Sequence, residues 1–248
     1  MGDPTRAFAD INGLRLYYEI HGSGRPLVLL HGGLLTIDFM FGPLLPELAA
    51  SRQVIVIELQ GHGHTADTDR SMTIDQLADD VAALLATLGI EQADVFGFSL
   101  GGMVGYSLVI RYPSVVRRLV VASADYRSRE STPDEEPAPM PTDAEFQAMR
   151  DAYEAVAPHP SHFDAFEEKV SAMVHDSFVG WTADDLRAVQ SSTMVVVGDN
   201  DFIRVSDAIE AAELLPHSQL AVLPGTTHMD MTRSPERILA LVVPFLDA

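Results

Sequence analysis

From Asp94 to Gly102 the chain reads Asp-Val-Phe-Gly-Phe-Ser-Leu-Gly-Gly: a short apolar run, then Gly97-x-Ser99-x-Gly101, then helix-like sequence. This pattern suits a strand that turns sharply into a helix with a serine at the apex. At such a turn the backbones two positions either side of the serine crowd together, and Gly97 and Gly101 are the residues without bulk to obstruct them. The turn also exposes a hydroxyl. A serine is a poor nucleophile until something exposes it, takes its proton and stabilises the oxyanion that forms on attack.

The rest of the chain alternates in the same way. Residues 7–20 read as two strands around an Asn12-Gly13 turn, a strong hairpin signal. Pro26–Leu30 and Gln53–Glu58 are unbroken apolar runs that end at His31-Gly32-Gly33 and near Gly61-His62-Gly63-His64, as expected of strands buried on both faces of a parallel sheet. Ile74, Leu77, Val81, Leu84, Leu85 and Leu88 keep helical spacing, and Gly89 ends that helix. Further strands are expected at 93–98, 118–123, 193–198 and 219–223, with helices near 100–111, 205–215 and 235–246. Alternating strand and helix predict a doubly wound, mostly parallel α/β sheet.

The alternation breaks once, between residue 125 and about residue 185. Ser131 to Pro141 is rich in proline and acid and reads as a solvated linker. Two helices then open with capping signatures, Thr142-x-x-Glu145 and Ser161-x-x-Asp164, and a short third starts near Thr182. Their apolar stripes are Phe146, Met149, Tyr153, Val156 and Phe163, Phe166, Val170, Met173. This segment reads as a helical lid inserted between the sixth and seventh strands, with a few residues, Trp181 among the candidates, lining a pocket beneath it.

Composition removes whole classes of function. The chain of 248 residues has 36 acidic and 16 basic residues, a net charge of −20, which disfavours nucleic acid and anionic membrane as partners. No apolar run approaches the roughly 20 residues of a spanning helix, and Met1–Arg6 has no apolar signal core. There are no cysteines, so disulfides and thiolate chemistry are absent. The expectation is a soluble cytoplasmic protein.

A general base for Ser99, and an acid to orient it, should lie at strand ends. The best acid follows Val195-Val196-Val197-Gly198, where Asp199 and Asp201 share a turn. The best base is His228, in the loop after the last strand. Leu100, directly after the serine at a helix start, offers one oxyanion N–H.

With these residues in place the chain resembles the α/β-hydrolase fold superfamily over essentially its full length. The order Ser99…Asp201…His228, the Gly198-x-x-Asp201 spacing and the Gly225-x-x-His228 loop fall where that family places nucleophile, acid and base. The resemblance also makes Asp125 a candidate, since it follows the sixth strand where some members carry the acid, but it favours Asp201 over Asp199 and Asp125. It points to Gly33 as the second oxyanion N–H, with Leu34 as the alternative. It implies an eight-stranded sheet, with residues 1–124 and 186–248 as the core and 125–185 as a helical cap. The loop from Glu58 to Thr65 departs from the family's Asp-x-x-Gly-x-Gly-x-Ser in carrying Glu for Asp and Thr for Ser. His31 is read as a brace for its turn.

The expected function is a serine hydrolase cleaving small, largely apolar carboxylic esters through an acyl-enzyme. The alternatives are a lactonase, thioesterase, carbon–carbon bond hydrolase or perhydrolase on the same triad, or a non-catalytic binding protein. Serine at position 99 excludes relatives with aspartate there, the haloalkane dehalogenases and epoxide hydrolases. His62-x-His64-x-x-Asp67 has some appearance of a metal site, but position 66 is alanine where a binuclear hydrolase has aspartate. His159, His162 and His175 read as surface or packing residues. No Gly-x-Gly-x-x-Gly follows the first parallel strand, so neither cofactor nor metal is expected. Residues 125–185 hold fifteen acidic and four basic residues, a net of −11. Such a field repels anions over about 8 Å at physiological salt and favours neutral or cationic substrates, unless it serves only solubility.

Overall fold

Unbroken apolar runs need two covering layers, and the chain supplies them. The computed structural model describes residues 3–128 and 141–248. β1 (Thr5–Ile11) and β2 (Leu14–His21) form an antiparallel hairpin. Asn12 and Gly13 carry φ of 50° and 80°, the positive pair that a two-residue turn of the right hand requires. β3 (Arg25–Leu30) is followed by two short helices, α1 (Ile37–Phe41) and α2 (Leu45–Leu48), and by β4 (Arg52–Ile57). Then come α3 (Ile74–Thr87), β5 (Ala93–Phe98), α4 (Leu100–Arg111) and β6 (Val116–Ala122). The eight-stranded sheet has the order β1-β2-β4-β3-β5-β6 and closes with β7 (Ser192–Gly198) and β8 (Ser218–Leu223). All pairings from β4 to β8 are parallel.

Alternate residues of the central strands enter different cores. Val28, Leu30, Ile55, Ile57 and Val95 pack with Leu77, Val81 and Val104 of α3 and α4. Leu27, Leu29, Val54, Val56 and Phe96 pack with Phe41, Leu48 and Val242 on the other face, where α9 (Pro235–Asp247) lies. With both faces covered, no polar alternation is left in these strands. α8 (Val205–Leu214) packs on β7 and β8.

Between β6 and β7 the chain makes its helical excursion through α5 (Asp143–Val156), α6 (Phe163–Ala172) and α7 (Ala183–Arg187). Thr142 closes a capping box with Glu145, and Thr182 closes another with Asp185. Ser161 caps nothing. Pro160 starts a 3-10 turn over Pro160–His162, so α6 begins at Phe163 behind His162, and Asp164 pairs with Arg150 instead. The proline-rich stretch 131–140 lies outside the described residues. Where the excursion leaves and rejoins the body, Arg127 bridges Gly180 and Trp181 N–H donates to Tyr126 O at 3.0 Å. The Trp181 ring packs on Tyr106 and Phe178, with centroids at 5.8 and 4.8 Å.

α6 is the piece of the excursion that reaches the loop after β4. Phe166 presents its ring to His62 at 4.8 Å and lies parallel to Tyr153 at 5.8 Å. A Cβ on Gly61 would come within 2.1 Å of the Phe166 ring, so the glycine makes the room. Lys169, the chain's single lysine, reaches Asp67 Oδ1 and Oδ2 at 2.7 and 2.8 Å and Thr68 O at 3.0 Å. No described helix is long and apolar enough to cross a membrane. Phe166→Ala should cost about 3–5 kcal/mol, typical of a buried Phe truncation. Hydrogen exchange should quicken across Phe163–Ala172 while the amides of β3 to β7 keep their protection.

Candidate active site

Ser99 sits between β5 and α4 with φ 51° and ψ −118°, a conformation strained for any residue with a side chain. What holds it there is crowding around two glycines. A Cβ on Gly97 would lie 2.1 Å from Gly101 O, and one on Gly101 would lie 2.1 Å from Leu30 O. Ser99 N–H donates to Ala122 O at 2.9 Å, and Met103 N–H donates to Ser99 O at 3.0 Å, which ties the apex to β6 and to the first turn of α4. The serine is partly exposed between buried neighbours.

Of the three candidate acids, Asp201 is the one bonded to His228. His228 Nδ1 lies 2.8 Å from Asp201 Oδ1, the His side chain 6% and the Asp side chain 0% exposed. Ile203 N–H donates to the same carboxylate oxygen at 3.0 Å. Asp199 instead accepts the Thr226 N–H at 3.2 Å and ties the two loops together. Asp125 accepts the Arg127 N–H at 3.0 Å, and burial pushes its carboxyl up. Phe202 stacks on the His228 ring at 3.9 Å and Phe98, the neighbour of Ser99, lies 4.7 Å from it. Phe202 had no signal in the sequence beyond its place after Asp201.

On the opposite side, the turn after β3 faces the start of α4. A Cβ on Gly33 would meet Leu100 Cδ2 at 3.9 Å, so the two N–H candidates belong to neighbouring residues in space. The alternative donor, Leu34, has its N–H engaged: it donates to His62 Nε2 at 3.1 Å. His31 Nδ1 lies 2.8 Å from Gly32 O, and Leu59 N–H donates to its Nε2 at 3.2 Å. Burial pulls the His31 pKa down to about 4 and that of His62 well below 6.5, so both rings are neutral at pH 7.

The departures in the 58–65 loop are accommodated by hydrogen bonds. Glu58 Oε2 accepts the His64 N–H at 2.6 Å and faces His64 Nδ1 at 2.9 Å, while burial pushes the Glu58 carboxyl up. Thr65 Oγ1 donates to Glu58 O and accepts the Tyr17 N–H, at 2.7 and 2.9 Å. His62, His64 and Asp67 therefore point to different partners, and no cluster of three or more such groups with metal-holding geometry occurs among the described residues.

A cavity of about 280 Å³ opens beside these elements. Leu35 of the β3 turn, Phe98 before Ser99 and Met229 after His228 share its wall with Phe39 and Met40 of α1 and Ala148 of α5. The one charged side chain of its lining, Arg233, is paired with Glu145 at 2.7 Å and Asp230 at 3.4 Å. Trp181 is not part of this lining.

The family model of the alpha/beta hydrolase fold matches residues 25–156. A protein named 2-hydroxymuconate semialdehyde hydrolase from Pseudomonas sp. (strain CF600) is 28% identical over 94% of this chain and 91% of its own. A protein named "Putative carbamate hydrolase RutD" from Azorhizobium caulinodans is 36% identical over 108 residues, 44% of this chain and 40% of that one. Among solved structures, a serine hydrolase involved in carbazole degradation superposes with a TM-score of 0.83 at 21% identity, covering 99% of each chain.

The neutral histidines set an acid limit on the fold. Both rings titrate near 6.5 in an unfolded chain, and burial lowers both in the folded one. Below about pH 6.5 the unfolded state therefore binds protons that the folded state does not, and stability falls as pH falls. The slope is up to ~1.4 kcal/mol per pH unit for each ring, and for His31 it ends near pH 4. Urea midpoints read from pH 7 down to 4.5 should follow it, with a shallower dependence in His62→Phe.

Proposed function

Because the chain belongs to the α/β-hydrolase fold family, we propose that it is a serine hydrolase with Ser99, His228 and Asp201 as its triad, acting on small, largely apolar carboxylic esters. The observation that carries this reading is the buried 2.8 Å bond between His228 and Asp201, in a site where Phe98, the residue before strained Ser99, lies 4.7 Å from the imidazole. Asp201 orients the ring through Nδ1 and stabilises its charged form, which leaves Nε2 free to take the serine proton. Ser99 Oγ then attacks the ester carbonyl, and the Gly33 and Leu100 N–H groups hold the oxyanion, each donor being worth about 3 kcal/mol of barrier. The imidazolium returns its proton to the leaving alcohol. Water deprotonated by His228 releases the acid from the acyl-enzyme. Each step is served by a side chain or backbone group of this chain, so the chemistry needs no cofactor or metal.

Residues 125–185 act in this reading as a cap over a core of residues 1–124 and 186–248, with Ala148 as a cap contribution to the apolar cavity. The cavity supports an uncharged substrate, since its one cation is already neutralised by Glu145 and Asp230. The long match to a 2-hydroxymuconate semialdehyde hydrolase favours a second reading, carbon–carbon bond hydrolysis on the same triad.

A fluorophosphonate probe should label wild type at Ser99, and Ser99→Ala should fold normally, take no label and lose nearly all hydrolysis of short p-nitrophenyl esters. Wild-type turnover in that variant would overturn the assignment. Labelling of Ser99 with turnover of a meta-cleavage substrate but of no ester would shift it to carbon–carbon hydrolysis. Folded, active-concentration wild type with neither label nor turnover would make the chain a binding protein. Ala148→Phe should narrow the cavity and move the acyl-length optimum to shorter esters, read as kcat/KM across acetate to octanoate.

A further inference from the structure

The oxyanion turn is gripped by two imidazoles in a reciprocal pattern. His31, in the turn after β3, accepts the N–H of Leu59 from the loop after β4. His62, in the loop after β4, accepts the N–H of Leu34 from the turn after β3. Each ring is oriented by its other nitrogen: His31 Nδ1–H donates to Gly32 O at 2.8 Å and His62 Nδ1–H donates to Gln60 O at 3.0 Å. Both residues are fully buried and their ring centroids lie 4.5 Å apart. Phe166 closes the outer side of His62.

These bonds act on the two peptide planes that flank Gly33. The carbonyl held by His31, Gly32 O, belongs to the same planar unit as the Gly33 N–H, so fixing one direction fixes the other. The N–H held by His62 belongs to the next unit, between Gly33 and Leu34. Leu34 has φ 64°, a left-handed conformation that costs a residue with a side chain about 1–2 kcal/mol. A turn with that tendency to relax is held by a partner for the Leu34 N–H, and His62 Nε2 is that partner.

We propose that His62 is a positioning residue for the hydrolytic site: with His31 it forms a neutral clasp that aims the Gly33 N–H at the developing oxyanion. This rests on the reading of the chain as a Ser99 hydrolase. A purely structural histidine would alter stability and leave the chemistry of the folded enzyme alone. A clasp on the oxyanion donor alters the transition state more than the ground state, so its loss lowers kcat with little change in KM.

The test compares three variants with wild type on p-nitrophenyl butyrate, together with inhibition by a trifluoromethyl ketone. His62→Phe keeps a ring against Phe166 and removes the acceptor. His62→Gln places an amide oxygen near the position of Nε2. His62→Asn keeps a donor for Gln60 O but is too short to reach Leu34, and it replaces the Phe variant should that one not fold. His62→Phe or His62→Asn should lower kcat about tenfold or more, part of the 10²–10³ that a whole oxyanion donor supplies. KM should stay within about twofold, the ketone should weaken by the same factor as kcat, and His62→Gln should recover most of the loss. Retention of kcat within about twofold in a folded Phe or Asn variant overturns the clasp, as does a loss that His62→Gln fails to recover. Fluorophosphonate labelling of wild type separates the two claims. Without an adduct at Ser99 the hydrolase reading itself falls; with one, an unaffected His62→Phe removes the clasp alone.

Discussion

Backbone crowding beneath Ser99 is the constraint on which the other features of this site depend. β5, the first turn of α4 and the end of β3 approach so closely that neither Gly97 nor Gly101 has room for a methyl group. That approach goes with the unfavourable φ of Ser99 at the junction of β5 and α4. It also sets Leu100 at the start of α4 beside the turn that carries Gly33. The strain is local, and its cost is spread over the packing of two cores on either side of the sheet.

The sheet was legible because its chemistry is periodic or continuous over several residues. Val54–Ile57 and Val195–Val197 are apolar without a break since both sheet faces are covered. Helices of twelve to fourteen residues gave enough turns to show a stripe, as α3 and α5 did. α1 and α2, at five and four residues, are shorter than a readable period. Ser161 misled because a capping signature is only a pair of residue types. Pro160 pre-sets the backbone one residue earlier and puts the serine inside a turn.

The site was legible in outline and not in its bonding. Strand position left Asp199 and Asp201 as rivals and the resemblance added Asp125 while favouring Asp201; the three carboxylates bond to Thr226, His228 and Arg127 in the order Asp199, Asp201, Asp125. The glycine-flanked His62 could be read as a loop residue or a ligand. Its partner, Leu34, is 28 residues away and offers only a backbone N–H, which leaves no trace in side-chain composition. Phe202 and Phe98 likewise enclose His228 through folding, with nothing in their spacing to announce it.

Lys169 gives the molecule an unusual chemical asymmetry. Fifteen of its sixteen basic side chains are arginines, so apart from the N-terminal amine an acylating or reductive-alkylating reagent finds one nucleophilic amine. That amine is also the cationic tie between α6 and the 67–70 segment, bonded to Asp67 and to the carbonyls of Thr68 and Arg70. Neutralising it would leave the Asp67 carboxylate facing a chain segment rich in like charge. Immobilisation through this side-chain amine would thus hold the protein by α6, beside Phe166 and the His62 ring it covers, and a label on Lys169 would carry its reporter to that same helix.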